Sequence, residues 1–119
     1  MNLLKETIEK LKDEGKKAQD VIWCGSKDFH FSWKKFKEVA NFDYNDGFGG
    51  QEVAEDLKIV GKDFWLERHE YDGSEWWEYK EMPQKGKKTI KNPKLTNKSY
   101  GCYASTLKER SEYVEEIYS

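Results

Sequence analysis

Apolar positions recur at helical spacing in two segments of the first 40 residues. A helix is predicted over residues 3–14, because apolar side chains fall on one stripe and Gly15 is a natural end. The stripe consists of Leu4, Ile8 and Leu11. A second, shorter helix is predicted over residues 33–40, with Ser32 as its N-cap. Its apolar face consists of Trp33, Phe36, Val39 and Ala40.

Short apolar and aromatic runs bounded by turn residues predict strands in the rest of the first two thirds of the chain. The predicted strands are residues 21–24, 28–31, 57–60, 64–71 and 75–80. The last two flank Asp72-Gly73, a dipeptide typical of a two-residue hairpin turn. The longest paired element of the sheet is therefore expected to be this hairpin.

A two-residue turn would set the register of the hairpin. It pairs Tyr71 with Ser74 and His69 with Trp76, and it divides the side chains between two faces. One face carries Leu66, Arg68, Glu70, Glu75, Trp77 and Tyr79. The other carries Trp65, Glu67, His69, Tyr71, Trp76 and Glu78. Both faces hold large rings, so one is expected to meet the helices, and the other to be a second internal layer or an exposed aromatic patch.

These elements predict an α+β fold, a small antiparallel sheet with a central hairpin packed against two or three helices. The third helix would follow Ser105. The chain has 119 residues, which favours a single domain over residues 1–119. A lysine-rich loop or arm broken by Pro93 is expected at residues 84–99.

The net charge of −2 conceals two segments of opposite sign. Residues 41–81 hold twelve acids and four bases, a net of −8, whereas residues 84–98 hold six lysines and no acid, a net of +6. The aromatic-rich middle is thus acidic, which would repel phosphates and attract a basic protein surface. Direct nucleic-acid binding is not expected, because the lysine-rich segment carries no aromatic residue to stack a base.

The sequence gives little support for a phosphate-binding loop, a metal site or a catalytic nucleophile. The glycine loop at residues 47–50 lacks the spacing of a phosphate-binding loop and lies among acids, so a structural turn is favoured. The potential zinc ligands are Cys24, His30, His69 and Cys102. No two of them have ligand spacing, so no metal or other cofactor is expected, and both cysteines are expected to be free thiols. Nothing specifies a nucleophile with its base, so the chain is not expected to be an enzyme.

The hairpin is the candidate binding site. Six of the eighteen aromatic rings lie between Phe64 and Tyr79, and Trp, Tyr and Arg are the residue types that dominate binding hot spots. The candidate partner- or ligand-binding residues are Trp65, Arg68, His69, Glu70, Tyr71, Asp72, Glu75 and Trp76. The same rings would also serve as core in a small domain with few aliphatic residues.

Two motifs resemble a family of small, uncharacterised phage and prophage proteins. They are the loop Gly49-Gly50-Gln51-Glu52 and the hairpin segment WLERHEYDGSEWW over residues 65–77. The resemblance covers roughly residues 20–83 and brings no site residues with it. It implies a context: small accessory phage proteins of this kind often block a host defence.

Two functional hypotheses follow. The first is a phage-encoded binding protein that inhibits a bacterial defence system, with an anti-CRISPR protein that binds a Cas effector as the leading kind. The alternative is a small-ligand binder, such as a sponge for a cyclic nucleotide signal. It would use the glycine loop, and Trp65, Arg68, Tyr71 and Trp76 would stack on the base. No apolar run approaches the roughly 20 residues that span a bilayer, so a cytoplasmic location in the bacterial host is expected, with a homo-oligomer left open.

Overall fold

A computed structural model describes residues 1–47, 49–93, 95 and 106–108 of the chain. By its internal contacts the chain divides into two compact units, residues 1–83 and residues 84–119. In the second unit, residues 84–93 of the predicted arm contain no helix or strand and are exposed throughout. The predicted third helix falls on residues of which the structure describes only 106–108. One domain over the whole chain stays a prediction.

The helices and strands of the first unit run in the following order. They are α1 (Leu3–Asp13), a 3₁₀ turn (Ala18–Asp20), β1 (Val21–Gly25), β2 (His30–Phe31), α2 (Trp33–Val39), β3 (Lys58–Gly61), β4 (Phe64–Tyr71) and β5 (Ser74–Glu81). The five strands form one sheet in the order β2-β1-β3-β4-β5, and all neighbouring strands are antiparallel. The predicted α+β class is confirmed.

The predicted register of the hairpin is confirmed pair by pair. Tyr71 lies opposite Ser74, His69 opposite Trp76, and the pairing continues to Phe64 opposite Glu81. Asp72 and Gly73 both have positive φ angles, 50° and 86°. That combination is the one a type I′ turn requires, and it matches the right-handed twist of the two strands.

Helix α1 packs on the sheet with a face rotated from the predicted stripe. Asn2 caps it by accepting a hydrogen bond from the backbone N–H of Lys5 at 3.0 Å. Its buried residues are Leu3, Thr7 and Leu11. Ile8, expected in the stripe, is 45% exposed. The rotation brings the Thr7 hydroxyl within 2.8 Å of the indole Nε1–H of Trp77, a buried donor that would otherwise need another partner.

Helix α2 begins where predicted and has only two turns. The Ser32 hydroxyl accepts the N–H of Lys35 at 3.0 Å. Phe36 and Ala40 are buried, but Val39, expected on the same face, is 56% exposed. Three residues after Phe36, Val39 lies about 60° to one side of it on the helical wheel, whereas Ala40 lies about 40° to the other side, toward the sheet.

Both helices cover one face of the sheet, which we call the inner face. The buried apolar residues are Leu3, Leu11, Cys24, Phe36, Ala40, Tyr44, Val53, Ile59, Phe64, Leu66 and Trp77. The opposite, outer face carries partly exposed side chains on β3, β4 and β5. In the parts of the chain that the structure describes, no helix is long and apolar enough to cross a membrane.

Candidate functional site

The hairpin register separates the eight predicted site residues into two groups. Arg68 and Glu75 point to the inner face, and their side chains are fully buried. The outer face carries Trp65, His69, Tyr71 and Trp76. Glu70 and Asp72 lie at the exposed turn end of the hairpin. The set proposed to stack on a nucleotide therefore does not converge, because Arg68 lies on the face opposite the rings of Trp65, Tyr71 and Trp76.

The inner face holds a buried ionic network centred on Arg68. Its Nη2 lies 2.7 Å from the Glu75 carboxylate and donates to the Tyr44 hydroxyl at 3.0 Å. Its Nη1 lies 3.3 Å from the carboxylate of Glu6 on α1, which also accepts the Tyr44 hydroxyl at 2.5 Å. Burial opposes the charged form of Arg68, but the hydrogen bonds that its guanidinium donates to Tyr44 and Glu75 raise its pKa overall. The network thus joins a helix, a loop and the hairpin around one guanidinium.

Aromatic rings enclose the same guanidinium. Its central carbon lies 4.7 Å from the centroid of the Trp77 ring and 5.5 Å from that of the Tyr44 ring. Cation–π contacts of this kind gain strength when water is excluded. Among the described residues, the Nε–H of Arg68 has no hydrogen-bond partner.

Glu75 connects the hairpin to the loop that precedes β3. Its carboxylate accepts the backbone N–H groups of Glu52 at 2.6 Å and Val53 at 3.1 Å. Its own N–H donates to the carbonyl oxygen of Asp46 at 2.9 Å. Burial alone would raise the pKa of Glu75, but these backbone donors and Arg68 together hold it below its usual range. The carboxylate is therefore ionised and fixes the loop to the hairpin.

This anchoring builds a surface that we call the acidic end, comprising residues 41–47, 49–57 and 69–75. None of these ranges contains a lysine or an arginine. Its surface carboxylates are those of Asp43, Asp46, Glu52, Glu55, Asp56, Glu70 and Asp72. β3 begins at Lys58 opposite Glu67, so the chain just before it leaves the sheet beside the turn end of the hairpin. The acids of the loop and of the turn therefore belong to one region.

A second polar chain runs across the outer face. The indole N–H of Trp65 donates to Glu67 at 2.6 Å, and Glu67 contacts Nε2 of His69 at 2.7 Å. The other ring nitrogen of His69 lies 2.6 Å from Glu78, whose second oxygen is 3.8 Å from Lys80. A neutral imidazole donates from one nitrogen only, so both contacts are hydrogen bonds only when the ring is protonated. The hydrogen bonds from Trp65 and His69 lower the pKa of Glu67.

The register also shows how the facing acids of the hairpin are accommodated. Glu67 lies opposite Glu78, and Glu70 opposite Glu75, as the two-residue turn requires. Like charges at such positions destabilise a sheet unless a base lies near. His69 contacts both members of the first pair, while Arg68 pairs with Glu75.

Sequence reasoning missed two members of the inner network, Glu6 and Tyr44. Glu6 follows Leu3 by three residues, so it borders the buried face of α1, and an acid in that place is a detectable signal. Tyr44 lies in an irregular loop, where periodicity carries no information. The hydrogen bonds from the backbone N–H groups of Glu52 and Val53 do not depend on the side chains of these residues, so the sequence does not indicate them.

The potential metal ligands do not form a site in the described part of the chain. No group of three His, Cys, Asp or Glu residues there could hold a metal ion. Glu67 and Glu78 contact different nitrogens of His69, so one ion could not bind all three side chains. Cys24 is a free, buried thiol whose pKa burial raises to about 12, and His30 is exposed. Cys102 lies outside the described residues.

Two exposed rings stand beside the acidic end. Tyr71, the last residue of β4, is 77% exposed, and Trp76 is 37% exposed on the outer face. Large rings that remain accessible next to charged groups are typical of protein-binding surfaces. Comparison of the chain with protein-family models, curated proteins and solved structures gave no match.

Proposed function

We propose that this protein is a small inhibitor that binds a basic surface of another protein through its acidic end. The observation that carries the proposal is the triple attachment of Glu75 to the loop, through the amides of Glu52 and Val53 and the carbonyl of Asp46. The loop and the turn both lack lysine and arginine, and holding them together concentrates negative charge in a fixed arrangement. Fixed charge favours association, because little ordering is left to occur on binding.

Seven surface carboxylates without a lysine or arginine among them produce a field that extends beyond the protein surface. At physiological salt this field acts over about 8 Å. It would steer the acidic end toward a positively charged cleft and raise the association rate. Repulsion from phosphate groups makes nucleic acid itself an unfavourable partner for this surface.

Tyr71 and Trp76 would supply the apolar part of the same contact. Exposed Tyr and Trp side chains bury large area at low cost in conformational entropy, and they are the residues in which binding energy is usually concentrated. Both lie in or next to the hairpin turn region, beside Asp72. An acidic rim with aromatic anchors fits a basic cleft with apolar pockets between its charges.

We further propose that the basic cleft is a nucleic-acid channel of a bacterial defence effector, with a Cas effector as the leading candidate. Such channels are lined with positive charge to hold nucleic acid. An acidic protein that occupies the channel would exclude nucleic acid without any chemical step. The resemblance of the loop and hairpin motifs to small phage proteins supports a phage-encoded inhibitor that acts in the cytoplasm of the bacterial host.

The test is direct binding of the purified full chain to a panel of guide-loaded Cas effectors, measured by biolayer interferometry between 50 and 300 mM salt. We expect the dissociation constant to rise by at least about tenfold over this range, since charge pairing dominates the contact. Inhibition of target-DNA binding should follow the same salt dependence. Absence of binding to every effector, or binding that does not respond to salt, would contradict the proposal.

A matched pair of variants localises the contact. Glu55→Lys with Asp56→Lys reverses two exposed charges in the acidic end, and we expect it to weaken binding by about tenfold or more. Glu9→Lys with Asp13→Lys makes the same change in net charge on the exposed side of α1, and binding should stay within about threefold. Equal losses in both variants would assign the effect to net charge rather than to the acidic end.

A further inference from the structure

A separate cavity of about 190 Å³ lies between α1, the turn that follows it, and α2. Its apolar lining comes from Ile8, Leu11, Ala18 and Trp33. Leu11 belongs to the buried core, so the floor of the cavity is rigid. Ile8, which the rotation of α1 leaves 45% exposed, forms part of the wall of this cavity.

The rest of the lining is entirely cationic. It consists of Lys12, Lys16, Lys17 and Lys37, and no acidic side chain lines the cavity. Within the described residues, the ammonium groups of Lys12, Lys17 and Lys37 have no ion pair, while Lys16 lies 5.0 Å from the centroid of the Phe64 ring. Like charges gathered at one opening repel each other, and an anion placed between them relieves that repulsion.

Trp33, one of the lining residues, carries an unpaired hydrogen-bond donor. The Nε1–H of Trp33 is buried and has no hydrogen-bond partner among the described residues. The Trp33 ring is held in place by stacking on Phe36, with the ring centroids 5.2 Å apart. Buried indole N–H groups usually have an acceptor, so the signal of this unpaired N–H is a sensitive reporter of any change beside the cavity.

We propose that this cavity binds a small organic anion, a molecule that joins a carboxylate or phosphate group to an apolar body of one or two rings. The lysines would hold the charged group at the opening, and the apolar body would fill the space above Leu11 and beside Trp33. The volume limits the size of the ligand, because pockets for drug-sized molecules span about 300–1,000 Å³. The cavity would bind an anion, whereas the acidic end would bind a positively charged surface. The two proposals can therefore be tested independently.

The test uses 2-naphthoate as the probe and two-dimensional ¹H–¹⁵N NMR of the labelled full chain as the measurement. The chain has five Trp residues, so five indole N–H signals are available, and Trp33→Phe identifies the one from Trp33. We expect a saturable shift of the Trp33 signal that is larger than the shifts of the other four. Shifts spread evenly over all five signals, or no saturation, would overturn the proposal.

Two further ligands separate the charged and apolar requirements. Naphthalene-2-methanol has the same apolar body without the charge, and we expect it to bind at least about tenfold more weakly than 2-naphthoate. Acetate has the charge without the body and should cause no saturable shift. Equal affinity for the neutral and charged naphthalenes would show an apolar cavity without anion selectivity, which would also overturn the proposal.

Matched variants test the lysines without touching the core. Lys12→Gln with Lys37→Gln removes two charges from the lining, and we expect the dissociation constant of 2-naphthoate to rise about tenfold. Lys5→Gln with Lys34→Gln removes two exposed charges from the same helices outside the cavity and should change it less than twofold. The same loss in both variants would show that net charge, and not this cavity, governs binding.

Discussion

The inner and outer faces of the β4–β5 hairpin use the same residue types for different purposes. Each face combines a basic side chain, carboxylates and a tryptophan within the same few residues of chain. On the inner face Arg68 and Glu75 are fully buried, and on the outer face His69 and Glu78 remain 37% and 36% exposed. The comparison shows that similar polar groups are closed off from solvent on one face of the hairpin and accessible to a partner on the other.

The energetic difference between the two faces follows from dielectric screening. A buried charge that loses its partner keeps the full cost of its desolvation, whereas an exposed one is solvated again by water. The inner network should therefore respond strongly to single substitutions. The polar side chains of the outer face should tolerate single substitutions. Changes there can therefore alter binding with little effect on the free energy of unfolding.

The largest expected effect is that of Glu75→Gln. The substitution leaves the guanidinium of Arg68 buried with reduced compensation and weakens the attachment of the loop at Glu52 and Val53. We expect a loss of about 3–5 kcal/mol in the free energy of unfolding, measured by urea denaturation. Glu78→Gln is the matched control on the outer face and should cost less than about 1 kcal/mol. Similar losses at both positions would remove the distinction between the faces.

A smaller effect is expected from Trp77→Phe. The change deletes the indole N–H that donates to Thr7 at 2.8 Å and part of the ring under Arg68, so it leaves a small cavity and an unfilled contact. We expect a loss of about 2 kcal/mol in the free energy of unfolding by urea denaturation. Trp76→Phe, one residue away on the other face, should stay within about 0.5 kcal/mol.

The acid dependence of stability should also distinguish the faces. The pKa values of Glu75 and Glu67 are both lowered in the folded protein, so the unfolded chain binds more protons as the pH falls. The stability they contribute is complete above the unfolded value near 4.5 and is lost as the pH decreases through their folded values. Urea titrations between pH 7 and pH 3 measure this loss. Glu67→Gln should keep most of the acid dependence, because the more heavily bonded Glu75 remains.

The smallest effect is expected from His69→Gln on the outer face. The imidazole contacts Glu67 and Glu78 at 2.7 and 2.6 Å, but all three groups are partly exposed. We expect a loss of about 0.2–1 kcal/mol at low salt and a smaller one in 1 M NaCl, measured by thermal unfolding. A loss that does not respond to salt would show that these contacts are hydrogen bonds of an uncharged imidazole rather than ion pairs.

Local signals predicted the hairpin well and the network poorly. Asp72-Gly73 determines the turn, and a turn of two residues determines every cross-strand pair, so the division of Arg68 and Trp65 between faces followed from the sequence. The partners of Arg68 did not, because Glu6 and Tyr44 lie 62 and 24 residues away along the chain. The attachment of the loop depends on main-chain donors, which every non-proline residue has. Thr7 was assigned no role for a similar reason, since only the position of Trp77 reveals it.

The two-residue turn has a consequence for the order of folding. Arg68 and Glu75 are seven residues apart and lie on opposite sides of the turn, so they come together when the hairpin closes, a step that takes about 1–10 μs. Glu6 lies 62 residues before Arg68 in the chain, so it can contact Arg68 only after the whole intervening segment has folded back. The ion pair is thus expected to form while still hydrated and to lose its water late, when α1 docks. Substitutions in the turn should then slow folding, while substitutions of Glu6 should mainly accelerate unfolding.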